Sequence, residues 1–252
     1  MSTGEELRQE VISFLKQLHQ SGEEFVFLDR RREFARVGEP AGAAESRETE
    51  FSSRESLEDF KRKISDCRRC RLHLSRTRFV FGAGDPGADL MFVGEGPGGE
   101  EDRQGLPFVG ASGQLLTKII AAIGFKRSEI FIANMVKCRP PGNRDPLPDE
   151  IETCEEYLLT QIEMIKPKVI VTLGRYSAYY FHGREAALRH LRGIVTDFNG
   201  IKVVSTYHPA ALLRNPGLKK DTWEDMLLVR KVYDQQGGRP SSGKVYQPGG
   251  KR

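Results

Sequence analysis

The sequence predicts an α/β protein: a three-layer α/β/α sandwich around a central, mainly parallel four-stranded sheet. Two observations lead to this prediction. Short apolar runs of strand length recur along the chain, and segments with apolar residues at helical spacing lie between them. Strands that alternate with helices in this way are typical of parallel sheets with helices on both faces.

Each predicted strand is a run of mostly apolar residues that is too short to form a helix of its own. The four runs are residues 89–93, 130–133, 168–173 and 201–206. The helices between them are marked by apolar spacing and by end signals such as Pro148, which suits the first turn of a helix. Helices are expected from the cap Ser112 to Ile123, from Pro148 to Ile165, around residues 176–181 and over residues 222–233.

Composition divides the chain into three parts. The 252 residues are 38% apolar and 29% charged, which fits one folded core and not a disordered protein. Residues 55–234 form the expected domain, residues 1–54 an N-terminal helix with a charged linker, and residues 235–252 a disordered tail. Because no run resembles a signal peptide or a membrane span, a cytoplasmic protein is expected.

A basic segment precedes the first strand. Between Lys61 and Val80 there are eight Lys or Arg residues and one acidic residue, although the net charge of the whole chain is only +4. Such a segment suits contacts with nucleic-acid phosphates, for which Arg68 and Arg69 are the candidates. A solvated basic surface without a partner is the alternative.

The chain has four cysteines, and their spacing indicates a metal site. Cys67 and Cys70 form a C-x2-C pair. Cys138 and Cys154 lie in a separate part of the chain, with fifteen residues between them. Four thiolates suit either a tetrahedral zinc ion or an iron–sulfur cluster, and spacing alone does not choose between them. The alternative is a redox pair next to two ordinary buried cysteines.

The residues that follow the predicted strands suggest where a ligand binds. Gly94, Asn134, Gly174 and His208 each come directly after, or within two residues of, the end of a strand. In parallel sheets, ligands bind beyond the carboxyl ends of the strands. We therefore expect the functional site at that edge of the sheet.

The turn after the first strand matches G-x-G-x-x-G, a pattern of dinucleotide-binding loops. Four carboxylates crowd this turn and Pro97 removes a backbone donor, so a pyrophosphate is disfavoured. A neutral, planar ligand suits it better, and Phe108 is a candidate platform for stacking. Taken singly, Phe108 also fits a core position, and Asn134 and His208 also fit structural hydrogen bonds.

Several motifs together resemble the type 4 uracil-DNA glycosylases. They are Gly-Glu-Gly-Pro-Gly at 94–98, Glu-Asp at 101–102 before Gly-x-Pro-Phe-Val-Gly at 105–110, Asn-x-x-Lys-Cys-Arg-Pro-Pro at 134–141, Asn-Arg at 143–144 and His-Pro-Ala-Ala at 208–211. The cysteines match too, and the resemblance extends over roughly residues 55–233. It implies a repair enzyme that flips uracil out of single- or double-stranded DNA and hydrolyses its N-glycosidic bond.

The resemblance also implies roles for single residues. The family's cluster is [4Fe–4S], and its ligands correspond to Cys67, Cys70, Cys138 and Cys154. In the uracil pocket, Phe108 would stack on the base, Asn134 would bind its Watson–Crick edge and His208 would donate to uracil O2. Gly94 and Gly96 would form the turn of the pocket, and Glu101 would lie near uracil C5. These pocket residues are Gly94, Gly96, Glu101, Phe108, Asn134 and His208.

Two roles stay open within the resemblance. The wider superfamily carries an Asp that orients the attacking water at the position of Gly96, so Glu95 and then Asn143 are the candidates to replace it. Leu212 or Leu213 would enter the base stack that uracil vacates, with Arg214 near the phosphates. A binding module without catalysis and a relative that stays covalently attached to abasic DNA are the competing interpretations.

The expected partner is uracil-containing DNA, with no membrane and no second copy of the chain. We expect a monomer that is associated with the nucleoid in the cytoplasm. Residues 1–54, which the resemblance does not cover, are the expected contact for a replication or repair protein.

Overall fold

A computed structural model describes residues 53–239 and 241–245, with side chains from Leu57 onward. The predicted N-terminal helix and linker lie almost entirely outside the described residues. The helices are α1 (Ser53–Ile64), α2 (Gly99–Gln104), α3 (Ala111–Ala122), α4 (Pro148–Ile165), α5 (Arg175–His182), α6 (Pro209–Arg214) and α7 (Lys219–Gln235). None of the described helices is both long enough and apolar enough to cross a membrane.

The described strands form one sheet in the order β1-β3-β2-β4-β6-β5. Their bounds are β1 (Ala83–Gly84), β2 (Leu90–Gly94), β3 (Phe131–Asn134), β4 (Val169–Leu173), β5 (Val195–Phe198) and β6 (Ile201–Thr206). The four central strands, β3, β2, β4 and β6, are parallel, whereas β1 and β5 are antiparallel edge strands. The parallel centre and the α/β class are thus confirmed.

The predicted number of four strands is wrong, because the sheet has six. The two edge strands lack the signal on which the prediction depended. β1 has only two residues, and β5 alternates between exposed and half-buried positions, so neither is a continuous apolar run. An edge strand that is solvated on one side needs no such run.

Two hydrophobic cores, one on each face of the sheet, make the three layers. Along β2, Met91 and Val93 pack into the core beneath α1 and α4, while Leu90 and Phe92 pack into the core beneath α3 and α7. Neighbouring strand residues point to opposite faces, and both faces here are buried. The continuous apolar run in β2 therefore has a structural reason.

Part of the segment from Gln235 for which the sequence predicts disorder is described, as far as residue 245, and it contacts the domain. The Lys168 ammonium donates to the Gly237 carbonyl at 2.6 Å, and the Gly243 N–H donates to the Gly124 carbonyl at 2.9 Å. The backbone N–H of Arg239 also donates to Asp89 at 2.9 Å. These partners precede strands β3, β4 and β2, so the segment lies at the amino ends of the strands and leaves their carboxyl ends open.

Candidate active site

A cavity of about 740 Å³ opens at the carboxyl ends of the parallel strands, where the sequence predicts the functional site. Five of the six predicted pocket residues line it, together with both candidates for the water and Arg214. These residues are Gly96, Glu101, Phe108, Asn134, His208, Glu95, Asn143 and Arg214. Gly94 lies just beneath them, under the side chains of Phe108 and Asn134.

Asn134 ends strand β3 and is paired in register with Gly94 at the end of β2. Its side chain is 2% exposed, and its Oδ1 is buried without a hydrogen-bond partner among the described residues. Buried amide oxygens almost always have a partner, so this atom marks a place where a ligand donor is expected. A Cβ on Gly94 would lie 2.4 Å from Oδ1 and 2.6 Å from Phe108 Cζ, so only glycine fits beneath the two side chains.

Phe108 is held in a strained backbone conformation beside Asn134. Its φ of 49° lies in the left-handed region, and its side chain is 5% exposed. Gly113 makes this loop feasible, because a Cβ there would lie 1.9 Å from the Phe108 carbonyl oxygen. Strain of this kind persists only where the surroundings enforce it, and it often belongs to functional sites.

Glu101 helps to hold the backbone of Phe108 in this conformation. Its Oε1 accepts the backbone N–H groups of Val109 and Gly110 at 2.8 and 2.9 Å, directly after Phe108. The carboxylate is buried and also borders the cavity. Its visible task is therefore to fix the Phe108 loop, and its predicted proximity to uracil C5 stays a prediction.

His208 is the N-cap residue of α6, and its Nδ1 accepts the Ala210 N–H at 3.1 Å. A neutral imidazole with an accepting Nδ1 carries its proton on Nε2, which makes Nε2 a donor. Burial lowers the pKa of His208 to about 4, and the positive charge of Arg214 acts in the same direction. The ring lies 5.5 Å from that of Phe108, centroid to centroid.

Glu95 borders the cavity next to a charged group that the sequence did not single out. The pKa of Glu95 is raised to about 7, first by burial and then by the negative charge of Asp145, and Arg175 opposes both effects. Asp145 accepts from the guanidinium of Arg175 and from the Tyr176 hydroxyl at 2.7 Å. Arg175 follows Gly174 directly after the end of β4. The expectation that ligands bind beyond the carboxyl ends of the strands could therefore have pointed to Arg175 and its partner Asp145.

The second candidate for the water, Asn143, is less available. Its side chain is exposed, and its Oδ1 already accepts the Nε–H of Arg139 at 2.8 Å. Gly96, in turn, has no room for a longer side chain, because a Cβ there would lie 2.8 Å from Val136 Cγ2. The carboxyl of Glu95, by contrast, has no hydrogen bond to a described residue.

The two candidate leucines of α6 differ in burial. Leu212 is 1% exposed and faces the interior, so of the two it is the less available for a contact with DNA. Leu213, by contrast, is 49% exposed. Both residues belong to one short helix, whose faces the sequence alone did not assign. Arg214, the next residue, borders the cavity.

All four cysteines border one second cavity, which confirms that they converge. The Tyr157 hydroxyl donates to Cys67 Sγ at 3.3 Å, and the Arg76 guanidinium donates to Cys138 Sγ at 3.1 Å. Burial raises the pKa of Cys154 to about 12, an effect that Lys137 opposes through its charge and its backbone N–H. Over the described residues, no three His, Cys, Asp or Glu side chains form a site for a single metal ion.

The basic segment is partly neutralised by neighbouring carboxylates. The guanidinium of Arg69 lies 2.5 Å from a carboxylate oxygen of Glu156 and is placed over the ring of Tyr157. Arg71 pairs with Asp149 in the same way, at 2.7 Å. Arg68 is exposed and has no ion pair with a described residue, so of the two predicted phosphate contacts it is the more available one.

The cavity of about 740 Å³ at the carboxyl ends of the strands is called the base pocket below, and the second cavity, bordered by the four cysteines, is called the cysteine cavity. Residues 81–228 match the family model described as the uracil DNA glycosylase superfamily. A type-4 uracil-DNA glycosylase of Archaeoglobus fulgidus is 45% identical over 186 residues, which cover 71% of this chain and 94% of the relative. A type-4 uracil-DNA glycosylase of Thermotoga maritima is 41% identical over 191 residues, 74% of this chain and 100% of the relative.

A type-5 uracil-DNA glycosylase of Pyrobaculum aerophilum is more distant, at 30% identity over 195 residues, 64% of this chain and 85% of that relative. The chain therefore belongs to the uracil DNA glycosylase superfamily and, within it, to the type-4 uracil-DNA glycosylases.

Proposed function

We propose that the protein binds uracil-containing DNA, single- or double-stranded, flips the uracil into the base pocket and hydrolyses its N-glycosidic bond. Free uracil and an abasic site are the products. The observation that carries this proposal is the buried Asn134 Oδ1, which has no partner among the described residues and borders the pocket beside Phe108 and His208. Flipping costs roughly a few kcal/mol, which a preformed pocket offsets.

Recognition depends on an amide and an aromatic ring. The Asn134 amide oxygen accepts from uracil N3–H and its NH2 group donates to O4, while the Phe108 ring stacks on the base. Cytosine presents the opposite pattern at these two positions and is rejected, because it would leave the buried amide unsatisfied. Glu101 supports this readout indirectly, since it holds the loop of Phe108.

His208 stabilises the leaving group. As the glycosidic bond breaks, negative charge develops on uracil O2, and the Nε2–H of a neutral His208 donates to that oxygen. The low pKa of His208, caused first by burial and then by Arg214, keeps the imidazole neutral at physiological pH. One preorganised donor of this kind contributes about 3–4 kcal/mol to the transition state.

Glu95 is the proposed partner of the attacking water, ahead of Asn143. The sugar cation needs only a positioned water, so strong deprotonation of that water is unnecessary. A carboxylate without another hydrogen bond to a described residue suits this task, whereas Asn143 Oδ1 is occupied by Arg139. The raised pKa of Glu95, about 7, means that ionisation occurs near neutral pH.

DNA contacts lie around the rim of the pocket. Leu213 is the exposed residue that enters the vacated base stack, and Arg214 is next to the phosphates of the flipped nucleotide. Arg68 adds a sequence-independent contact to the phosphate backbone.

The test of this function is release of free uracil from a uracil-containing oligonucleotide, in parent protein and in Asn134→Asp. The parent should release uracil in single turnovers. The variant replaces the amide donor with an acceptor, so uracil release should fall and weak release of cytosine should appear. DNA binding without any release by the parent would favour the non-catalytic binding module.

The cysteine cavity fits an iron–sulfur cluster in its donor set. Four thiols border one space, and an O–H and a guanidinium already donate to two of the sulfurs, as groups that stabilise thiolates do. Cys67, Cys70, Cys138 and Cys154 would hold a [4Fe–4S] cluster, which would fasten the segment around Cys67 to the loop that follows Asn134.

Purified protein should accordingly be brown and contain about four irons per chain, by the stoichiometry of the cluster. Cys138→Ala should lose iron and thermal stability together. A colourless protein with one zinc per chain would contradict the cluster. We also propose that the protein acts as a monomer, which size-exclusion chromatography checks. We further propose that it acts in the cytoplasm and that residues 1–54 bind a replication or repair protein.

A further inference from the structure

Lys137 is fully buried in the loop that joins the base pocket to the cysteine cavity. It lies three residues after Asn134 and immediately before Cys138, with 0% of its side chain exposed. An ammonium without a carboxylate partner is expensive to bury. In the described part of the chain the ammonium donates to two uncharged oxygens and to no carboxylate.

The two hydrogen bonds of the ammonium give it a specific direction. It donates to the backbone carbonyl of Asn134 at 2.9 Å and to Gln161 Oε1 at 2.6 Å. The NH2 group of Gln161 donates in turn to the Phe81 carbonyl at 2.8 Å. Gln161 is itself fully buried in α4, so the carbonyl of Asn134 is tied to a rigid helix through one lysine.

The same residue also contacts the cysteine cavity. It directly precedes Cys138, which borders that cavity, and its carbonyl accepts the Val80 N–H at 2.8 Å. Val80 belongs to the segment that leads from the Cys67–Cys70 pair to the sheet. Lys137 is therefore fixed on both sides, and the negative charge of cysteine thiolates would be next to its otherwise uncompensated ammonium.

We propose that Lys137 is a positioning residue that couples the cysteine cavity to the base pocket, by fixing the carbonyl of Asn134 from the position directly before Cys138. The proposal deepens the proposed function and rests on it. Its consequence is reciprocal: uracil bound at Asn134 stabilises the arrangement of the cysteines, and an intact cluster stabilises the arrangement of Asn134.

The first experiment compares the parent with Lys137→Met, which keeps the length of the side chain but removes its donors and charge. The Kd is measured for an oligonucleotide with a non-cleavable 2′-fluoro-deoxyuridine and for the same oligonucleotide with thymine. The parent's preference for the uracil oligonucleotide tests the proposed function. Lys137→Met should reduce that preference at least tenfold.

Two further variants separate positioning from a merely structural role. Gln161→Leu removes one anchor of the ammonium and should reduce the preference by a smaller factor, and it keeps the proposal testable if Lys137→Met does not fold. Thr172→Val removes a fully buried hydrogen bond to Ser205 at 2.7 Å in the core of the sheet. It should lower thermal stability but leave the preference unchanged.

The second readout is the rate at which an iron chelator removes the metal. In the parent, saturating uracil oligonucleotide should slow iron release several-fold more than saturating thymine oligonucleotide. In Lys137→Met, the two oligonucleotides should have equal effects. If the parent prefers uracil but Lys137→Met keeps that preference and the difference in iron release, the inference is overturned and the proposed function stands. If the parent shows no preference, the proposed function itself fails.

Discussion

The base pocket and the cysteine cavity begin on the same loop, at Asn134 and Cys138, but they treat buried polar atoms in opposite ways. In the cysteine cavity, Tyr157 and Arg76 donate to two of the sulfurs. In the base pocket, Asn134 Oδ1 has no partner among the described residues. The described residues thus donate to two atoms of the cysteine cavity and leave an acceptor of the base pocket without a partner.

This contrast has an energetic meaning. An unsatisfied buried polar group costs about 1–3 kcal/mol, and a strained residue such as Phe108 costs a similar amount. The base pocket therefore reduces stability, whereas two sulfurs of the cysteine cavity have hydrogen-bond donors. Substitutions in the pocket should change chemistry more than folding, and substitutions elsewhere in the core should do the reverse.

The sharpest form of this comparison uses two histidines. His208→Ala should slow single-turnover excision by roughly 10²–10³ and leave binding of uracil-containing DNA nearly intact, because the lost donor acts on charge that develops in the transition state. The matched control is His182→Ala. His182 is half-buried and contacts Ser205 and Thr196, away from the pocket, so this variant should lose thermal stability and keep the parental rate.

If both histidine variants lost stability and activity together, His208 would be a structural residue like His182. A stable His208→Ala that excises uracil at the parental rate would equally exclude the proposed donor.

Gly94→Ala should have the next largest effect, a loss of excision of roughly tenfold or more. The added Cβ would lie 2.4 Å from Asn134 Oδ1 and 2.6 Å from the Phe108 ring, so both recognition side chains must shift. A misplacement of about 1 Å in such a site can cost about 10²-fold in rate. Gly142→Ala is the control for glycine substitution near the pocket, since a Cβ there meets nothing within 4 Å.

Because Gly142 has a positive φ, its alanine variant should lose a little stability but keep the excision rate. Excision by Gly94→Ala at the parental rate would mean that Asn134 and Phe108 do not need their present positions.

The pH dependence tests Glu95. Its carboxyl has a pKa of about 7, raised first by burial and then by Asp145, so single-turnover excision should increase as the pH rises through about 7. Asp145→Asn removes the repelling charge and should shift this increase to lower pH. Glu95→Gln should abolish it, whereas Asn143→Ala should leave it in place. A profile that Glu95→Gln does not change would exclude Glu95 as the partner of the water.

The same carboxyl has a predictable effect on stability. The folded state holds its proton more tightly than the unfolded state, whose pKa is near the ordinary value of 4.5, so Glu95 reduces stability as the pH rises from about 4.5 to about 7. Thermal denaturation should therefore show that Glu95→Gln gains more over the parent at pH 8 than at pH 5.

How far the sequence predicts this molecule depends on the kind of signal. Continuous apolar runs predict β2, β3, β4 and β6, and the strand-end rule then predicts where Asn134 and His208 meet. Features that depend on the direction of a side chain are not predicted. The sequence does not show, for example, which of Leu212 and Leu213 is exposed. The sequence also does not predict the hydrogen bonds that Glu101 accepts from the Phe108 loop or the one that Lys137 donates to Asn134, because they require loop conformations that no periodicity encodes.

The smallest expected effect separates two adjacent arginines in the basic segment. Arg68→Glu should weaken binding several-fold to uracil-containing and uracil-free DNA alike, and should make the dependence of affinity on salt less steep, because a phosphate contact made by charge alone carries no sequence information. Arg69 already pairs with Glu156 and lies over Tyr157, whose hydroxyl donates to Cys67. Arg69→Glu should therefore weaken DNA binding and also lower thermal stability and iron content.

Equal effects of the two variants on iron content would mean that the ion pair with Glu156 does not support the cysteine cavity. A loss of affinity confined to uracil-containing DNA would instead make the basic segment part of base recognition.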